Sequence, residues 1–137
     1  MADRELRVLL ADAHPVVRSG LRAVLETVPL LDVVAEADSA GATTRAVLLH
    51  HPDVVVLDLD LGERTVAEVL RSAPRTRVLV FTMTDRDASI VAALRAGALG
   101  YVLKDAAHDS IVRAIRGVAA GEAVLGPTVA RRLGGLV

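Results

Sequence analysis

The chain has 137 residues, 53% hydrophobic, 24% charged and 1% aromatic, with 16 basic side chains against 17 acidic ones. One aliphatic domain fits this length; a second of ordinary size does not, and disorder is excluded because the apolar surface is ample. A net charge of −1 gives no general pull on nucleic acid, and the absence of cysteine excludes disulfides and thiolate metal sites.

Leu6-Arg7-Val8-Leu9-Leu10-Ala11 reads as a buried strand. Pro15 suits the first position of a helix that carries Val17, Leu21, Val24, Leu25 and Val28 at helical spacing. Residues 32–37 form a weaker strand near the sheet edge, and Ser39 caps a helix that Pro52 ends. Val54-Val55-Val56-Leu57 is apolar on both faces, as an interior parallel strand must be. A short helix over 65–72, a strand over 78–81 and a helix opening at Asp85 follow, with Gly97 as its left-handed stop. The last expected pair is a strand over 99–103 and a helix from about Asp109 to Ala120, ended by Gly121.

Five such βα units predict an α/β protein, a flavodoxin-like (βα)5 three-layer sandwich with parallel order 2-1-3-4-5. Residues 1–121 are expected to form this domain, and 122–137, with Pro127 and Gly134-Gly135, a tail or the start of a linker. Charges interrupt every apolar run before the ~20 residues a spanning helix needs, so no membrane segment is expected. Leu6-Arg7 directly follows the charged start Met1-Ala2-Asp3-Arg4-Glu5, so no signal peptide is expected and the cytoplasm is the expected compartment.

In open parallel sheets, ligands bind outside the carboxyl ends of the strands, where strand order reverses. Asp12, Asp58, Thr82 and Lys104 end the first, third, fourth and fifth predicted strands, which are neighbours in that order. Two carboxylates, a hydroxyl and an ammonium can together hold a divalent cation, present a carboxylate nucleophile and stabilise a phosphoryl group. Each residue also has a plainer role. Asp58 can cap a turn, Asp12 can start a helix, Thr82 favours a strand for its β-branch, and Lys104 can be solvated. Those plain roles leave the joint occurrence at neighbouring strand ends unexplained.

The segments Leu9-Leu10-Ala11-Asp12-Ala13-His14-Pro15-Val16-Val17-Arg18-Ser19-Gly20-Leu21, Leu57-Asp58-Leu59 and Gly97-Ala98-Leu99-Gly100-Tyr101-Val102-Leu103-Lys104-Asp105 resemble a bacterial response-regulator receiver domain of the NarL/LuxR type, over about residues 6 to 121. The resemblance implies that Asp58 accepts a phosphoryl group from a sensor histidine kinase, with Mg2+ neutralising charge during transfer. It implies that Thr82 and Lys104 contact the phosphoryl group and that Tyr101 is an aromatic switch, against the alternative that its ring only packs. It further implies a homodimer, and control of transcription through a DNA-binding output domain outside this chain; the domain itself is expected to signal, not to act as an enzyme.

Two departures from that family pattern fall on the metal side. The second of two adjacent acids, the direct metal ligand, is replaced by Ala13, and the segment Leu59-Asp60-Leu61-Gly62-Glu63-Arg64-Thr65 is shortened and lacks the usual proline. The carboxylate of Asp60 is a candidate replacement ligand beside Asp12 and Asp58. These departures keep open a pseudo-receiver governed by a ligand or partner instead of Mg2+-dependent phosphorylation.

The four histidines, His14, His50, His51 and His108, show no metal-binding spacing and are expected to be capping or solvated. Gly97-x-x-Gly100 precedes no helix and so is a turn signal, and Arg131-Arg132 is too short a basic run for nucleic acid. A flavodoxin-like enzyme or nucleotide binder is the distant alternative. Against it, Asp12 repels phosphate, Pro15 lacks an N–H, and Phe81 and Tyr101 are too few aromatics to stack a flavin.

Overall fold

The computed structural model describes residues 5–135; the expectations for Met1–Arg4 and for the last two residues of the tail lie outside that range. The strands are β1 (Leu6–Ala11), β2 (Leu31–Ala37), β3 (Val54–Leu57), β4 (Arg77–Thr82), β5 (Gly100–Leu103) and β6 (Val124–Leu125). The helices are α1 (Pro15–Leu25), α2 (Ala40–His50), α3 (Thr65–Ser72), α4 (Asp87–Arg95), α5 (His108–Ala119) and α6 (Pro127–Gly134). All pairings are parallel and the sheet order is β2-β1-β3-β4-β5-β6. The expected order is present, extended by one strand.

Side chains alternate across each strand, and this alternation builds two cores. Leu9, Ala11, Val55, Leu57, Val80 and Tyr101 face one side, where Val47 of α2, Val66 and Val69 of α3, and Ile90 of α4 cover them. Val8, Leu10, Val54, Val56, Leu79, Phe81 and Val102 face the other, under Leu25 of α1 and Ile111, Ile115 and Val118 of α5. β3 is buried along its whole length, which explains its unbroken run of Val and Leu.

Within the segment expected as tail or linker, residues 124–134 form a further strand and helix packed against the domain. β6 pairs Val124 with Gly100 and Leu125 with Tyr101, and Pro127 then starts α6 at the position where its missing N–H costs nothing. Val129 of α6 is fully buried in the first core, while Arg132 pairs with Asp85 at 3.3 Å and Asp87 at 3.5 Å at the start of α4. Helix α4 itself begins at Asp87, two residues later than expected.

Gly100 is required by this close approach. A Cβ there would lie 2.6 Å from Leu79 Cδ1, 2.9 Å from Val118 Cγ2 and 3.1 Å from the Val124 carbonyl oxygen. Gly100→Ala should therefore destabilise the domain by about 1–3 kcal/mol through overpacking, read as a lower urea midpoint; an unchanged midpoint would mean that β6 and α5 are not packed this tightly.

Candidate functional site

Sheet register places the polar residues. Ala11 lies opposite Leu57, so Asp12 and Asp58 leave the sheet side by side. Thr82 lies opposite Leu103, so Lys104 follows one residue beyond, and its N–H donates to the Thr82 carbonyl at 2.9 Å. The four side chains that the sequence put at strand ends meet in one buried cluster.

Asp58 is the centre of that cluster and is only 1% exposed. Its Oδ1 accepts from Thr82 Oγ1 at 2.7 Å and from the Asp60 N–H at 3.1 Å, and its Oδ2 accepts from Lys104 Nζ at 2.6 Å. Lys104 Nζ also contacts Asp12 Oδ2 at 2.7 Å, so one buried ammonium spans both carboxylates. Burial by itself pushes the Asp58 carboxyl up, but the bonds from Lys104, Thr82 and Asp60 outweigh it and hold the group below its ordinary range. Lys104 is the mirror case: burial pulls it down, and its bonds to Asp12 and Asp58 hold it above the usual lysine range.

Asp12 sits just ahead of α1, whose N-cap residue is His14. Its Oδ1 accepts from the His14 N–H at 2.8 Å at the entrance to α1, and its Oδ2 faces Lys104. Tyr101 is fully buried and donates its hydroxyl to the Thr84 carbonyl at 2.6 Å, two residues beyond Thr82. Burial, helped by the charges of Glu63, Asp85 and Asp58, pushes that phenol up to about 12, so it donates at every ordinary pH.

Two residues sit otherwise than expected. Asp58 starts a 3-10 turn over Leu59–Leu61, which presents the Asp60 N–H to the acceptor, while the Asp60 carboxylate stays half-exposed and outside the metal-capable cluster. His14, read as uninformative, belongs to that cluster: its Nδ1 lies 3.0 Å from Asp12 Oδ1 and 3.5 Å from Asp58 Oδ2. The signal available in the sequence was its place two residues after Asp12, where Pro15 forces the helix to begin. His14 also lines the mouth of the site, a pocket of about 380 Å³ shared with Val17, Phe81, Met83 and Lys104.

The donors do not match Mg2+, which takes several oxygen ligands in tight octahedral geometry. Ala13 offers no side-chain donor, the third close donor is an imidazole nitrogen, and Lys104 already spans both carboxylates.

A family model described as the response regulator receiver domain matches residues 8–116. The oxygen regulatory protein NreC of Staphylococcus haemolyticus is 34% identical over 122 residues, which cover 85% of this chain and 56% of that protein. A LuxR-family two-component response regulator from Aurantimonas sp. SI85-9A1 superposes with a TM-score of 0.91 at 36% identity, covering 96% of each chain. The signal receiver domain of the putative response regulator NarL from Mycobacterium tuberculosis gives 0.81 at 35% identity, covering 87% of this chain and 99% of that one.

Because Asp58 is buried with its charge, Lys104→Met should cost about 3–5 kcal/mol of unfolding free energy at neutral pH by leaving it unpaired. A carboxyl held below its unfolded value contributes stability above that value and loses it as pH falls through the folded one. The gap between variant and wild type should therefore narrow below the ordinary carboxylate range. Urea titrations across acid and neutral pH check this; a gap that widened in acid would contradict the pairing.

Proposed function

The chain belongs to the response regulator receiver family, and from that premise we propose that Asp58 accepts a phosphoryl group from a sensor histidine kinase. The observation that carries this reading is the buried Asp58 carboxylate held by Lys104 at 2.6 Å and Thr82 at 2.7 Å. An Asp58 oxygen forms the new bond to phosphorus as the donor's P–N bond breaks and the kinase imidazole leaves, giving an acyl phosphate. Lys104 then faces a group of greater negative charge, and the Thr82 hydroxyl can turn from the carboxylate to a phosphoryl oxygen. Both contacts draw on the loop carrying Thr84, whose carbonyl holds the Tyr101 hydroxyl. Magnesium enters this reading only as a weakly held ion, and no step is assigned to it.

The wider role we assign is signalling, not catalysis of a separate reaction: a cytoplasmic homodimer that governs transcription. The chain spans 56% and 61% of the first two curated relatives. DNA contact is accordingly assigned to a LuxR-type output domain outside these residues, with residues 122–137 as the lead towards it. Ala13 favours a second reading, a pseudo-receiver whose acid pocket is governed by a ligand or partner.

Intact-mass analysis after incubation with a small phosphodonor, with Mg2+ and with chelator, separates the two. One added phosphoryl group on the wild type and none on Asp58→Asn is the expected result. No adduct under either condition would leave the pseudo-receiver reading in its place.

A further inference from the structure

The segment between Asp58 and α3 has little of its own to fix its shape. Its 3-10 turn is closed by the Leu61 and Gly62 N–H groups on the Asp58 and Leu59 carbonyls, at 3.2 Å and 2.9 Å. The chain then turns through Gly62 at a φ of 124°, a conformation that suits glycine. Arg64, at the N-cap of α3, makes no side-chain capping bond, and the buried hydroxyl of Thr65 has no hydrogen-bond partner. Yet this segment delivers the Asp60 N–H to Asp58 Oδ1 at 3.1 Å, beside the bonds from Thr82 and Lys104.

The missing anchor comes from α4. Ile90 and Ala93 seat that helix in the first core, and Ser89 beside them is only 4% exposed. Its Oγ donates to Glu63 Oε1 at 2.8 Å, across 26 residues of sequence, and accepts from the Arg86 guanidinium at 3.3 Å. A buried hydroxyl is costly to leave unpaired, so this bond fixes the Glu63 side chain although its carboxylate is half-exposed. Glu63 directly follows Gly62, so holding it holds the far end of the turn.

We propose that Ser89 and Glu63 are positioning residues for the phosphoacceptor: their bond ties the turn behind Asp58 to α4 and keeps the Asp60 N–H on the acceptor carboxylate. Neither side chain touches the reacting atoms. The Asp60 N–H and Thr82 hold Oδ1 while Lys104 holds Oδ2, so the plane of the carboxylate is set from both sides. Loosening the turn releases one of those holds, and attack on phosphorus depends on how the attacking oxygen is aimed. The effect on transfer rests on the phosphoacceptor reading of Asp58; the place of the Asp60 N–H is a property of the resting protein.

Amide hydrogen exchange at Asp60, followed by NMR on the whole chain, tests the tie without a phosphodonor. Ser89→Ala and Glu63→Ala should each speed exchange about 2–10-fold, the loss expected for one hydrogen bond, and the double substitution should add little to either. Glu63→Gln keeps an acceptor oxygen for Ser89 and should exchange like the wild type. Glu63 is half-exposed, so its variants test the tie without opening the core, and circular dichroism checks that Ser89→Ala is folded. With acetyl phosphate as the donor, both alanine variants should be phosphorylated about 2–10-fold more slowly than the wild type, and Glu63→Gln at the wild-type rate. The proposal is overturned if Asp60 exchange is unchanged in Glu63→Ala and Ser89→Ala, if Glu63→Gln exchanges as fast as Glu63→Ala, or if both alanine variants are phosphorylated at the wild-type rate. A wild type that takes no phosphoryl group removes the acceptor reading, and exchange at Asp60 then decides by itself whether Ser89 and Glu63 hold the turn.

Discussion

One ammonium between two carboxylates organises this domain. Lys104 Nζ touches Asp12 and Asp58 at 2.7 Å and 2.6 Å where all three side chains are at least nine-tenths buried. A lone charge so placed would cost several kcal/mol, so each member is tolerated only while the others are in reach. They come from the ends of β1, β3 and β5, and only a parallel sheet in the observed order and register brings those ends together. The apolar strands supply the energy that holds the sheet, and the sheet holds the charges in register.

The same logic explains how readily the site could be read from the sequence. Unbroken runs such as Val54–Leu57 mark interior parallel strands, and a polar residue just past each run must lie on one rim of the sheet. Asp12, Asp58, Thr82 and Lys104 were therefore legible from position alone, before any distance was known. What was not legible depended on local geometry or tertiary pairing. Asp60 was read as a carboxylate donor, but the 3-10 turn after Asp58 turns its N–H inwards instead. His14 shows no metal-binding spacing to another histidine, and its only signal was its place two residues after Asp12, just before Pro15 begins α1.

The missed strand β6 shows a further limit. Val124 and Leu125 are too few to read as a strand, and they become one only because Gly100 lets their backbone approach β5. Helix α6 had a signal in Pro127, but whether a short helix docks or trails depends on what it finds to bury. Val129 finds the first core, and Arg132 finds the acids at the start of α4.

These contacts converge on the short loop after Thr82. Tyr101 holds its backbone at Thr84, Arg132 of α6 holds Asp85, and Glu63 of the acceptor loop accepts from Ser89 at 2.8 Å and faces Arg86 at 3.6 Å. The loop is thus tied to the aromatic core, to the C-terminal helix and to the turn behind Asp58. Its other end is Thr82, whose hydroxyl is bound to Asp58 itself. Any displacement of Thr82 has to be absorbed between these ties. The buried Tyr101 bond is the hardest of them to give up, since its phenol would lose its acceptor inside the apolar core. The exposed pairs of Arg132 and Glu63 are worth far less, about 0–1 kcal/mol each, so the buried Tyr101 bond is the strongest tie on this loop.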